Sequence, residues 1–106
     1  MKVVYISGKY SGDIDTNIQK AREIAIKLWE SGYAVICPHL NSSHMELDCK
    51  ASYEQFLAGD VEILRRCDAI IMLPEWEQSK GAWIEWKDAR ARKIPIYLYP
   101  DLPEII

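Results

Sequence analysis

Two carboxylates occupy helix positions where a carboxylate ill suits simple packing, and they are this chain's best candidates for chemistry. Asp60 interrupts an apolar stripe of Tyr53, Phe56, Leu57, Val61 and Leu64, four residues after Phe56 and four before Leu64. Glu85 shares a face of small residues with Gly81, Ala82 and Ala89, while the bulky Trp83, Ile84 and Trp86 point elsewhere. A charge turned toward a core is costly unless it is partnered or neutralised by a raised pKa. Small residues suit close packing on a sheet, so Glu85 is expected to project toward the strand ends. Two carboxylates there suit nucleophile and acid/base roles. The plainer alternatives are that Asp60 reaches solvent at the stripe's edge and that Glu85 pairs with Lys87 or Arg92 on the surface. Helical spacing alone does not choose between them.

A second group of residues suits an anion or a close-fitting ligand. The loop Gly8-Lys9-Tyr10-Ser11-Gly12-Asp13 offers backbone N–H groups, two hydroxyls and an ammonium ahead of a helix. Glycines permit close approach to a ligand, and a helix N-terminus favours negative charge. The loop is neither a GxGxxG fingerprint nor a P-loop, and a simple strand-to-helix turn explains it equally well. Ser79 opens another helix and either adds phosphate donors or simply caps it. His39, His44, Asp48 and Cys49 match no standard zinc spacing, so no metal is expected, and His39 is grouped with the substrate-binding residues. Ser and Cys nucleophiles lack an identifiable His partner. Trp76, Trp83 and Trp86 read as core or subunit interface rather than a base-stacking platform.

The elements that must position these residues alternate. Residues 2–7 (KVVYIS) form a buried strand ending at Gly8, and a helix follows, with Asp13, Asp15 or Thr16 as its cap and Gly32 at its end. Residues 33–37 form a second strand stopped by Pro38, and 38–51 read as a long loop, a lid or binding wall. Ser52 and Gln55 are spaced as a capping box for a second helix over 53–66. A third strand spans 68–73, a third helix 80–92 and a fourth strand 94–99, with a tail over 101–106 that has no assignment. Alternating strands and helices imply an α/β, three-layer open parallel sheet of Rossmann or flavodoxin type, with helices on both faces. The expected strand order is 2-1-3-4, which leaves a crevice at the strands' carboxyl ends where strand order reverses.

With 106 residues the chain has room for one domain, over 1–106, and exposes enough surface for a homodimer or higher homo-oligomer to be expected. A net charge of −3 provides no broad basic field, which argues against a nucleic-acid polymer as partner. Its three cysteines are odd in number and form no CxxC pair, the N-terminus has no signal-peptide layout, and no apolar run could span a membrane. A cytoplasmic setting is therefore expected.

The motifs also carry a resemblance. Tyr5-Ile6-Ser7-Gly8 resembles the Y-[IL]-[AS]-G opening of nucleoside 2-deoxyribosyltransferase-like proteins. Gly59-Asp60 through Cys67-Asp68, then Leu73-Pro74-Glu75-Trp76, Ser79-Lys80-Gly81-Ala82 and Glu85, is similar to their second half. The chain most closely resembles the branch called DUF4406. The resemblance implies that Glu85 is a nucleophile attacking C1′ of a (deoxy)ribosyl group, and that water or a second base resolves the resulting ester. It implies that Asp60 orients the sugar or protonates the departing base, and that Tyr5, or else Tyr10, holds Glu85. Ser79 stands where the transferases carry aspartate and the related deoxynucleoside 5′-monophosphate N-hydrolases carry a phosphate-holding serine. Lys9 replaces a common proline, and Ser11 stands in place of the hydrolases' loop arginine. The resemblance implies no cofactor, and it implies a site completed by a neighbouring subunit, for which the tail is the suggested contributor.

The expected function is cleavage of the N-glycosidic bond of a (deoxy)nucleoside 5′-monophosphate, by hydrolysis rather than base transfer. A non-catalytic nucleotide-sensing module and a glycohydrolase acting on NAD or a cyclic ADP-ribose derivative are the alternatives.

Overall fold

The computed structural model describes residues 1–102; the end of the tail, residues 103–106, lies outside the described residues. Strand β1 (Val3–Ser7) lies inside the sheet, between β2 (Ala34–Ile36) and β3 (Ala69–Met72), and β4 (Ile96–Leu98) adds beyond β3. All pairings are parallel and the order is β2-β1-β3-β4, as the alternation of elements predicts.

Side-chain alternation along the two inner strands builds a layer on each face. Val4, Ile6, Ala69 and Ile71 pack with Ala21, Ile24, Ala25 and Leu28 of helix α1 (Ile14–Glu30). Tyr5, Ile70 and Met72 face the other way, against Leu64 of α3 (Tyr53–Leu64) and Ala82 and Ala89 of α4 (Lys80–Ala91). A third segment, α2, is the short helix Pro38–Asn41. Gly8 ends β1 against β3: a Cβ there would stand 2.8 Å from Leu73 Cδ1, so only glycine fits without displacing that side chain.

Local chemistry sets the helix boundaries. Asp13 caps α1 by accepting from the Thr16 N–H, and Gly32, with φ +95°, follows the helix's end at Ser31. Ser52 and Gln55 form both halves of the capping box on α3. The Ser79 hydroxyl accepts from the Ala82 N–H at the start of α4.

Two expectations need correction. The segment 38–51 is not a plain loop, for it folds into α2 and a 3-10 turn at Met45–Leu47. Pro38 suits the first position of a helix, and the 3-10 turn is held from outside by Tyr10, whose hydroxyl accepts from the His44 N–H and donates to Glu46. The apolar stripe of α3 is likewise not a core stripe. Leu64 is the buried residue of that helix, and Tyr53, Phe56 and Leu57 line a cleft instead.

Candidate active site

Residues two apart on a strand share a face, so Tyr5 and Ser7 both point from β1 toward α4. The small residues Ala82 and Ala89 let α4 lie close against the sheet, which carries Glu85 into contact with both. Glu85 is only 6% exposed. Ser7 Oγ donates to its Oε1 at 2.6 Å, and the Tyr5 hydroxyl donates to its Oε2. The surface pairing considered for Glu85 does not form, for Arg92 bonds Asp88 instead.

This setting pulls the Glu85 carboxyl in two directions. Burial lifts it, hydrogen bonds from Ser7 and Tyr5 draw it down, the Asp60 charge lifts it further, and it stands at about 7. Tyr5 is held well above the ordinary phenol range, by burial first and then by the Glu85 charge, so it remains a proton donor. Burial alone lifts Asp60 to about 6. Two carboxyls that titrate near neutrality can divide acid and nucleophile roles between them.

Glu85, Ser7 and Asp60 line a cleft of about 600 Å³ at the carboxyl ends of the strands, within the size range of small-molecule sites. Tyr53, Phe56 and Leu57 of α3 form an apolar wall. The opposite wall joins loop 8–13 to α2 and the 3-10 turn through a chain of contacts. His39 Nε2 lies 2.7 Å from the Lys9 carbonyl and must donate to it, which leaves Nδ1 as a buried atom without a partner. The His39 ring meets Tyr10 edge-on at 5.4 Å, and Tyr10 ties down Glu46 and His44. Burial keeps His39 below its ordinary pKa, against the pull of its bond to the Lys9 carbonyl.

The N-terminus of α4 supplies the positive side of the cleft. Ser79, Lys80 and Gly81 line it, and Lys9 reaches over from the first loop to donate to Gln78 Oε1 at 3.0 Å. Ser79 accepts the Ala82 N–H with one lone pair of its oxygen, so its own proton is still free to reach a ligand. The unpaired N–H groups and dipole of a helix start favour an anion at this point.

Of the residues singled out from sequence, Gly8, Lys9, Tyr10, Ser11, His39, Asp60, Ser79, Gly81 and Glu85 lie on this one cleft. Tyr5 sits behind it, fully buried, and reaches it through Glu85. Gly12 does not line the cleft; its φ of +95° serves the turn into α1. Tyr10 bonds Glu46 and not Glu85. His39, His44, Asp48 and Cys49 stay apart: His44 pairs with Asp15 at 3.3 Å, and no metal-binding cluster of His, Cys, Asp or Glu forms among the described residues. Ser7, Glu46 and Gln78 also line the cleft and were missed. For Ser7 a signal existed, since it is a polar residue two places after Tyr5 in a strand otherwise apolar from Val3 onward. Trp76 is buried, whereas Trp83, its neighbour at 4.6 Å, is partly exposed.

The comparisons with known proteins follow the same lines. Residues 2–98 match the family described as domain of unknown function (DUF4406). No curated protein matches the chain. Among solved structures, a 2-deoxyribosyltransferase from Leishmania mexicana superposes with a TM-score of 0.70 at 17% identity, over 93% of this chain and 64% of that one. A 2-deoxyribosyltransferase from Bacillus psychrosaccharolyticus superposes with a TM-score of 0.63 at 17% identity, over 91% of this chain and 70% of that one. At such identity the likeness is one of fold, and this chain spans less than two thirds of the length of the Leishmania protein.

Proposed function

The chain belongs to the DUF4406 family, and from that premise, its fold and its cleft we propose that it is an enzyme that cleaves the N-glycosidic bond of a (deoxy)nucleoside 5′-monophosphate. Glu85 is the nucleophile. The observation that carries this reading is a buried carboxylate held by two hydroxyl donors at the edge of a ligand-sized cleft.

In the first step a Glu85 oxygen bonds to C1′ as the C1′–N bond breaks, and the base leaves with the bonding electrons. Asp60, in the molecules where it holds the proton while Glu85 is ionised, gives that proton to the departing base. In the second step water attacks C1′, the ester C–O bond breaks and Glu85 recovers its charge, while Asp60 takes the proton of the water. A carboxylate pair performs the same two-step displacement in retaining glycosidases. The phosphate rests at the start of α4, on the Ser79 hydroxyl, the free N–H groups and the Lys9 and Lys80 ammonium groups. Ser79, which resembles the phosphate-holding serine of the N-hydrolases, favours a monophosphate over a free nucleoside, and of the two outcomes hydrolysis is the one proposed over base transfer.

The reading extends to a homo-oligomer, supported by Tyr53, Trp83 and Ile84, which lie exposed on α3 and α4. Its test is a panel of deoxynucleoside and ribonucleoside monophosphates, free nucleosides and NAD, with released base followed by chromatography and binding by calorimetry. Base release from a monophosphate is the expected result. Binding without products would instead make the chain a sensor, and release of nicotinamide alone would make it a glycohydrolase of NAD type.

A further inference from the structure

Two hydroxyls hold Glu85, and the steps proposed above assign a part to neither of them. Tyr5 secures Oε2 from a position that is fully buried and does not line the cleft. Ser7 sits at the last position of β1, lines the cleft, and secures Oε1 at 2.6 Å. Oε2 is thus held from the core and Oε1 by a residue that lines the cleft. Building on the reading above, we propose that Oε1 is the atom that attacks C1′, and that Ser7 is the positioning residue that aims it and helps it leave again.

The argument for the second half is a count of acceptors. When Oε1 bonds to C1′ it becomes the bridging oxygen of an ester, a weak acceptor whose charge has passed to the departing base. Oε2 becomes the ester carbonyl and keeps its hydrogen bond from Tyr5. The Ser7 bond is thus weakened in the ester and regained as the Oε1–C1′ bond breaks and its electrons return to oxygen. Hydrogen bonds to charged oxygen are the stronger kind, so the gain falls on the breakdown step. The effect keeps the ester short-lived. The Ser7 bond also draws the Glu85 carboxyl downward against its burial, so more of it is ionised at neutral pH.

The test compares wild type with Ser7→Ala, Ser7→Cys and Ser7→Thr on a deoxynucleoside 5′-monophosphate. Acid-quenched samples are weighed by intact-protein mass spectrometry for the sugar phosphate ester, and base release is followed across pH. In Ser7→Ala, ester breakdown is expected to slow by roughly 10-fold or more, ester to accumulate, and the limb of the rate profile that reports Glu85 to move to higher pH. Ser7→Cys, which is close in volume and a poor donor, should behave alike even if alanine loosens the fold. Ser7→Thr, which keeps the hydroxyl, should restore both readouts. A wild type that releases no base overturns the reading of function itself. A wild type that releases base, with Ser7→Ala and Ser7→Cys matching it in ester level and pH profile, overturns only the role of Ser7. Carbon-13 titration of labelled Glu85 reads the contact without turnover: an unchanged midpoint in both variants would also overturn it.

Discussion

Tyr5 and Glu85 stand 80 residues apart in the chain and share a hydrogen bond beneath the cleft. The bond joins an interior strand to the helix after β3, so the same contact that orders the carboxylate also ties α4 to the sheet.

One consequence concerns stability. In the unfolded chain Glu85 titrates near 4.5, and in the fold burial lifts it to about 7. The folded state therefore binds the proton more tightly, and stability falls as pH rises between those values. Glu85→Gln removes the buried charge and keeps the shape. It should raise stability at pH 8 by about 1–3 kcal/mol, with the difference shrinking below pH ~4.5. Thermal melts of both proteins across pH measure this. A variant less stable than wild type at pH 8 would contradict it.

A second consequence concerns Asp60. Attack needs Glu85 ionised and base departure needs Asp60 protonated, so kcat/KM should be bell-shaped, with limbs near 6 and 7 that belong to the pair. Asp60→Asn should lower the rate and abolish the alkaline limb. The one remaining limb should then report Glu85 alone and lie below its wild-type value of about 7, because the Asp60 charge helps to lift Glu85. A variant that kept the full bell would make Asp60 a structural carboxylate.

The start of α4 yields a prediction about phosphate. Ser79→Ala should cost about 1 kcal/mol of stability through the lost cap. It should also raise KM for a monophosphate more than KM for the matching nucleoside, and Lys9→Ala should do the same without the loss of stability. Equal changes for both substrates would remove the phosphate from this corner.

Gly8 yields a prediction about packing. Gly8→Ala sets a methyl against the Leu73 side chain, and overpacking of this kind costs about 1–3 kcal/mol. Denaturant melts read the cost directly. Introduced into Leu73→Ala, where the space is free, Gly8→Ala should cost less than it does in wild type.

Much of this was legible because it is local. Ser52 with Gln55, and Ser79, announce helix starts by spacing and cap as expected, while of Asp13, Asp15 and Thr16 it is Asp13 that caps α1. Strand order followed from the alternation of elements and the handedness of crossovers. What stayed hidden is tertiary. The segment 38–51 has no period of its own and takes its shape from Tyr10 and the Lys9 carbonyl, which lie far away in sequence. The stripe of α3 has a helical period, but a period does not say whether it faces a core or a cleft. Ser7 escaped notice because one hydroxyl at a strand end looks like a turn residue until its partner, Glu85, is in place.

The most direct measurement is the initial rate of base release by Glu85→Gln, on the monophosphate that wild type cleaves best, at a pH where the variant's melt shows it folded. Loss of the nucleophile should lower kcat by roughly 10³-fold or more in a protein at least as stable as its parent. A rate within a few-fold of wild type would mean that Glu85 does not attack the sugar.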